Sequence, residues 1–549
     1  MGSAKILEKR KTVPEKMLEE YEKLAVEGFT HLVAITALDR GELIEVIYHF
    51  SSPKGSMAHL SLEISKNGPV LPTLTGRLTG AAFYEREAED LFGVRFEDIP
   101  KGESPHFILP DCYPTNALPP LLKNVKPEEV KQNLAVAQSC NLQAFSSTGP
   151  ISPESVVFPL GPYHPALKEP EYFSLVVEGE TIQKAFLRIG YVHRGIEKAA
   201  EGRTYLRDIF LLERICGICS THHAWTFVEA VEKLLNLEVS ERAKYLRTLI
   251  AELERIHSHS LWLGLVGYWM GFETMFMWVW NLRETVMDLL EEATGNRVHK
   301  SFVTIGGVRR DIPDSMIKRV SAKVNEFTKQ IELVLEAIVS TEQFVERTTN
   351  IGAYSLEQAR KYLTVGPVRR AAGDPYDIRK VEPYGAYEEL DFEVVTSNKG
   401  DVYNLILCRL RELMESAKII SQIAEKTPSG NPIPQRYFMG TVPSGEAYAR
   451  TEAPRGELFY YVNSNNTHTP YRVKIRTPTL PNIQLAASLL EGASLSDLPL
   501  ILTCIDPCFS CMDRVQVYNS SDKTVRILTL EDFARKMKKG EFAWRGKAF

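Results

Sequence analysis

At 549 residues the chain is too long for a single hydrophobic core, so two or more domains are expected. Its composition is that of an ordinary globular protein, 44% hydrophobic and 25% charged, and a formal net charge of −5 gives no electrostatic case for nucleic acid. The start, MGSAKILEKRKTV, lacks the apolar stretch of a secretory signal, so the eight cysteines are expected as thiols and metal ligands rather than as a disulfide framework.

In chain order, 14–29 is rich in Glu, Lys and Leu and predicts an amphipathic helix. Residues 31–37 and 43–50 predict strands joined by a hairpin at Leu38-Asp-Arg-Gly41, and 57–64 a third strand. An acidic helix over 81–92 is closed by Gly93. These elements define an N-terminal α/β domain over 1–125. A Pro-rich, then Ser/Pro/Gly-rich stretch marks a linker over 126–155. The second domain, 156–514, opens with strand-like runs (EYFSLVVEG, IQKAFLRIG) and becomes mainly helical over 202–297, 313–349 and 404–423. Short strands follow between Gly445 and Ile475, then a helix at 482–490. Residues 260–282 are apolar enough to suggest a membrane span, but Glu273 in the middle favours a buried helix of a large bundle. The tail, 515–549, reads as a basic hairpin around Asn519-Ser-Ser-Asp522 plus a short helix. No Gly-rich phosphate loop of the dinucleotide or Walker type is present, which argues against a nucleotide site.

Chemistry concentrates in two pairs, Cys216-Gly-Ile-Cys219 and Cys508-Phe-Ser-Cys511, almost three hundred residues apart. Each C-x-x-C turn points both sulfurs to one side, so four thiolates can converge on a soft metal. Spacing alone leaves structural zinc, an iron–sulfur cubane and a catalytic metal open. The other four, Cys112, Cys140, Cys408 and Cys504, have no partner at ligand spacing and read as free buried thiols. Near the pairs stand Arg214, Arg455, Asp506, His223 and Glu197. A guanidinium offsets an anionic thiolate centre, and a carboxyl moves protons, which structural zinc does not need.

With Arg194-Gly-Ile-Glu197, Arg214-Ile-Cys216-Gly-Ile-Cys219-Ser-Thr-His-His223, Ala453-Pro-Arg455-Gly456 and Asp506-Pro-Cys508-Phe-Ser-Cys511, the chain resembles the large subunit of [NiFe] hydrogenases. The resemblance implies nickel on all four sulfurs, Cys216 and Cys508 terminal, Cys219 and Cys511 bridging to an iron that carries CO and cyanide. It also implies His223 near a bridging sulfur, Arg455 over the open face and Glu197 passing protons to and from Cys508. Phe83-Tyr-Glu-Arg-Glu87-Ala-Glu-Asp90-Leu-Phe-Gly93 resembles the 30-kDa subunit of complex I. Gly161-Pro-Tyr-His164, Arg255-Ile-His-Ser-His259 and Gly306-Gly-Val-Arg309-Arg310-Asp311 resemble its 49-kDa subunit. The fusion, with its nickel ligands intact, is similar to the group 4, membrane-associated hydrogenases of the formate hydrogenlyase type (hydrogenase 3 or 4). The competing resemblance is a fused quinone-reductase subunit of complex I without nickel. That branch lacks the cysteines and has a second histidine where Lys168 stands here.

The hydrogenase resemblance implies a small subunit bearing a [4Fe–4S] cluster, since this chain has no separate cysteine set for one. It further implies membrane-arm subunits, a formate or CO dehydrogenase or ferredoxin as electron donor, and maturation proteins with an endopeptidase that cuts after Arg514. The complex would lie on the cytoplasmic face of the cell membrane, held there through partner subunits. Asp513-Arg514 follow the last pair where many relatives have a histidine, so no histidine-anchored Mg²⁺ site is implied.

Overall fold

The computed structural model describes residues 8–508 except 69, 101–104, 115, 139–150, 163, 165, 166 and 168, together with the backbone of 517–519 and 524–526. The N-terminal unit is a four-stranded sheet, β1 (Lys9–Thr12), β2 (His31–Asp39), β3 (Leu43–Ser51) and β4 (Met57–Ser65), in the order β1-β4-β3-β2. Helices α1 (Met17–Val26) and α2 (Ala81–Phe92) pack on it. β2 to β4 form an antiparallel meander, whereas β1 pairs parallel to β4. The short, charged KRKT run of β1 carries no period-2 signal, which is why it escapes a reading of the sequence. Gly93 ends α2 in the left-handed region (φ 74°), donating its N–H to the Glu89 carbonyl. The segment expected to be linker begins with helix α3 (Pro127–Gln138), whose first turn carries Pro127, Glu128 and Glu129, all favourable at a helix N-terminus.

The second unit opens with the sheet β5 (Ser155–Leu160), β6 (Tyr172–Glu178) and β7 (Thr181–Arg188). Helices α4 (Ile196–Ala200), α5 (Tyr205–Glu213), α6 (Ser220–Leu235), α7 (Glu241–Trp269) and α8 (Glu273–Thr294) follow. After the two-residue strands β8 (Val303–Thr304) and β9 (Gly307–Val308) come α9 (Asp314–Ser340), α10 (Glu342–Thr348), α11 (Leu356–Lys361), α12 (Pro367–Ala371) and α13 (Ile378–Val381). The long α14 (Val402–Lys426) packs on α7 and α9. Strands β10 (Gly445–Ala453), β11 (Gly456–Ser464) and β12 (Arg472–Arg476) form an antiparallel sheet, followed by α15 (Thr479–Leu490) and α16 (Leu498–Ile505). In the tail, β13 (Val517–Asn519) pairs antiparallel with β14 (Thr524–Arg526), the hairpin expected there.

Residues 260–282 are not one helix. α7 and α8 meet at a turn where Gly271 has φ 78°, so the apolar stretch folds into an antiparallel helical pair. No helix among the described residues is long and apolar enough to cross a membrane. Cys408 and Cys504 are buried as expected and form no disulfide, whereas Cys112 is disulfide-bonded rather than a thiol.

The two units share one continuous hydrophobic core, from Met17 and Leu24 to Leu502 and Cys508. Their seam is also ionic. β2 is an edge strand, and its outward carbonyls at Ala37 and Val33 accept hydrogen bonds from Arg472 (3.2 Å) and Arg476 (2.7 Å) of β12. Guanidinium groups thus cover an edge that would otherwise be open to strand pairing.

Candidate metal centre

α5 ends at Glu213, and Cys216 and Cys219 occupy the turn before α6, with Cys219 as its N-cap residue. The positive end of the helix dipole favours thiolate there. Behind this turn Glu254 of α7 gathers the start of α6. Its Oε1 accepts from the Thr221 N–H (2.9 Å), Ser220 Oγ (3.2 Å) and Lys300 Nζ (2.8 Å), and its Oε2 faces His222 Nδ1 at 2.7 Å. Burial works against the charge on Glu254, yet Lys300 and His222 hold its carboxyl well below the usual range. Sequence reasoning missed this group. Glu254 lies in an ordinary helical pattern, and only its Arg255-Ile-His-Ser-His259 neighbourhood marks the region.

The second pair arrives from α16. Asp506 turns the chain in the left-handed region (φ 55°), which brings Cys508 back toward α15, where its N–H donates to Thr479 Oγ1 at 3.0 Å. Cys216 Sγ and Cys508 Sγ stand 3.2 Å apart, both buried. A disulfide would be about 2.05 Å, whereas one soft metal ion with bonds of about 2.3 Å can reach two sulfurs so placed. Cys219 is buried beside them, and its N–H points to Cys216 Sγ at 3.5 Å. Among the described residues no group of three metal-ligating side chains closes on a common point. Cys511, Arg514 and Lys168 lie outside the described residues.

Arg455 sits in the turn between β10 and β11. That turn presses backbone to backbone against the start of α12, so a Cβ on Gly456 (φ 126°) would meet the Gly366 N at 2.6 Å. Arg455 Nε donates to the Asp506 carbonyl and its Nη2 to Asp506 Oδ1, both at 2.9 Å; Nη1 reaches Ser258 Oγ at 3.3 Å. The other oxygen of Asp506 accepts from Arg409 Nη1 at 2.8 Å. Arg409 lies over the Trp262 ring, 4.4 Å from its centroid. Burial opposes the charge on Arg455, but Asp506 and the sulfurs of Cys508, Cys216 and Cys219 keep it protonated, above its ordinary value. Beneath the turn, Arg370 joins Glu412 (2.8 Å) and Glu452 (2.7 Å), and Arg255 Nη2 donates to the Glu452 carbonyl at 2.6 Å. Buried charges so paired fix the loop rather than leave it mobile.

The remaining expected residues divide. His223 is buried one turn after Cys219, with Nδ1 at 2.7 Å from Tyr460 Oη, and burial pushes its imidazole down to about 4. Glu197 starts α4, and Arg194 Nη2 ties that segment to the Ile215 carbonyl beside Cys216 at 3.0 Å. The Glu197 carboxylate itself pairs with Arg472 (2.7 Å) and accepts from the Ile475 N–H (2.9 Å), and it bonds to no described thiol. Burial disfavours its charge, but Arg472 and Lys474 hold it below the usual carboxylate range. Arg214 differs from the rest. Its side chain is 50% exposed and donates to the Phe210 carbonyl, so it stands outside the buried ring of charges.

Three family models match. That of the respiratory-chain NADH dehydrogenase 30-kDa subunit covers 11–131, and that of the 49-kDa subunit covers 270–439 and 436–514. The nickel-dependent hydrogenase model covers 194–264, which holds the first cysteine pair and Glu197. The chain is 38% identical to the alpha subunit of the membrane-bound hydrogenase of Pyrococcus furiosus over 395 residues, covering 69% of this chain and 92% of that protein. It is 32% identical to formate hydrogenlyase subunit 5 of Escherichia coli over 495 residues, covering 89% of this chain and 85% of that protein. One component of the F420H2 dehydrogenase of Methanosarcina mazei is 40% identical over 361 residues, covering 65% of this chain and 96% of that protein. A chain in the solved structure of the membrane-bound sulfane sulfur reductase, an archaeal respiratory membrane complex, superposes with TM-score 0.64 at 34% identity, over 67% of this chain and all of that one. The chain belongs to the group 4, membrane-bound [NiFe]-hydrogenase large-subunit family, fused to a domain of the complex I 30-kDa type.

Proposed function

We propose that this chain is the catalytic subunit of a membrane-associated [NiFe] hydrogenase, forming H₂ reversibly from protons and low-potential electrons within a formate hydrogenlyase-type complex. The observation that carries this reading is the approach of Cys216 Sγ and Cys508 Sγ beneath an arginine that Asp506 holds in place. The donor set fits a soft metal, since buried thiolates stand beside a fixed cation. Cys216, Cys219, Cys508 and Cys511 would hold a nickel–iron group whose iron carries CO and cyanide. Bound there, the group would supply a redox centre at which H₂ is made or split.

The chain's own residues handle charge and protons. Arg455 offsets the anionic sulfurs at no reorganisation cost, because Asp506 and the β10–β11 turn pre-position it. The Cys508 sulfur accepts a proton during turnover, Glu197 receives it, and a pair of proton-transfer groups of this kind contributes about 10²–10⁴ in rate. His223, locked by Tyr460, faces the cysteine turn as a neutral ring that tunes sulfur electron density. Asp506 acts through Arg455. A small subunit with a [4Fe–4S] cluster, membrane-arm subunits, a formate or CO dehydrogenase or ferredoxin, and a maturation endopeptidase acting after Arg514 complete the system at the inner membrane face.

The matches to the NADH dehydrogenase 30-kDa and 49-kDa models support a second reading, a fused quinone-reductase scaffold subunit of complex I without nickel. Exchange of D₂ with solvent protons separates the two. The purified complex is expected to form HD under D₂; a complex that passes electrons to quinone and forms no HD contradicts the hydrogenase reading.

A further inference from the structure

Glu197 lies at the seam between the two units, where α4, β12 and α2 meet. Lys474 Nζ of β12 stands 2.6 Å from Glu87 Oε2 on α2 and 3.7 Å from Glu197 Oε1. Arg472, two residues before Lys474, pairs with the other oxygen of Glu197 at 2.7 Å. None of these four side chains is more than 12% exposed. Two carboxylates therefore share one ammonium, and a guanidinium secures one of them, so a single proton can change sides while the other charges stay paired. Their surroundings set the two carboxyls apart. Burial and the charge of Glu197 raise Glu87 in spite of Lys474, while Arg472 and Lys474 lower Glu197 against its burial. The charged groups facing Glu87 are Lys474 and Arg472 on β12 and Glu197 on α4. Its helix neighbours are committed elsewhere: Glu85 accepts from the Leu74 N–H, and Asp90 from the N–H groups of Phe107, Ile108 and Leu109.

We propose that Glu87 takes the proton on from Glu197 through Lys474, so that the fused N-terminal domain supplies the next station between the metal centre and water. This rests on the reading of Glu197 as the relay. Glu197 gives its carboxyl proton to Lys474 Nζ as the ammonium passes one of its own protons to Glu87 Oε2. The net change is a protonated Glu197 and an ionised Glu87 becoming an ionised Glu197 and a protonated Glu87, with no electron moved. Glu87, whose Oε2 is buried while its side chain as a whole is 12% exposed, then passes the proton outward to water.

The test compares the purified complex with its Glu87→Gln and Glu87→Asp variants by infrared pH titration of buried carboxyls, nickel content and D₂/proton exchange. Glu87→Gln is expected to lose one protonated-carboxyl C=O band, to move the titration of Glu197 to lower pH, and to slow exchange at least about tenfold with nickel retained. Glu87→Asp restores exchange in part. An unchanged titration with unchanged exchange overturns the proposal, and so does slowed exchange explained by lost nickel with the carboxyl bands in place. If the native complex holds no nickel and shows no exchange, the hydrogenase reading fails by itself, and the infrared titration alone decides whether Glu87 and Glu197 share a proton.

Discussion

Asp506→Asn probes the hub of the candidate centre. The native carboxylate is fully buried and faces a guanidinium on each side, Arg455 at 2.9 Å and Arg409 at 2.8 Å. An amide turns an N–H toward one of them and removes the carboxylate that both guanidinium groups pair with. Breaking a buried pair in this way costs about 3–5 kcal/mol. Arg455 keeps its bond to the carbonyl of residue 506 and Arg409 keeps the Trp262 face, so the lower end, about 3 kcal/mol, is expected. With an unfolding entropy of about 2.1 cal/mol/K per residue over the roughly 500 residues that share one core, that corresponds to a fall in Tm of about 3 °C. Calorimetry of the metal-free chain at pH 7 measures it without metal binding entering. A variant melting within about 1 °C of the native chain refutes the double clamp.

Glu197→Gln is expected to keep the metals but slow D₂/proton exchange, on the order of 10²-fold or more; unchanged exchange removes Glu197 from the proton route. Acid is expected to destabilise the fold through seven buried histidines, His31, His49, His59, His222, His223, His257 and His259, all lowered by burial. Unfolded, they gain protons as pH falls through about 6.5, while in the fold they stay neutral, so stability is lost as pH drops. Burial also raises six carboxyls, Glu85 and Glu452 to about 7, Asp208 to about 9, and Glu87, Glu213 and Glu229 above their ordinary value, which acts in the opposite direction. Seven histidines against six carboxyls leave a small net loss as pH falls, so Tm should drop slightly between pH 6 and 5; a rising Tm contradicts this. Intact mass of the active enzyme should end at Arg514, and a full-length mass sinks the cleavage.

The elements with strong periodicity were legible in the sequence: β2 to β4, α2 with its closing glycine, and the three strands around Arg455. The cysteine pairs were legible because C-x-x-C spacing has few other uses, and the structure brings Cys216 and Cys508 together across the fold. What stayed hidden depends on tertiary placement. Arg214 adjoins the cysteine turn in sequence but points to the surface, since it caps α5 on its outer side. Glu254, Lys300 and Arg409 belong to ordinary helical or loop patterns, and only folding carries them under the site. Gly271 likewise splits an apolar run that hydropathy alone joins into one segment.

The central claim is a nickel–iron centre on the two cysteine pairs. Nickel quantification on the purified complex, combined with infrared spectroscopy, tests it most directly. The expected result is nickel stoichiometric with the chain, together with stretching bands of CO and cyanide. A complex with neither would contradict the claim and return the four cysteines to zinc or an iron–sulfur cubane.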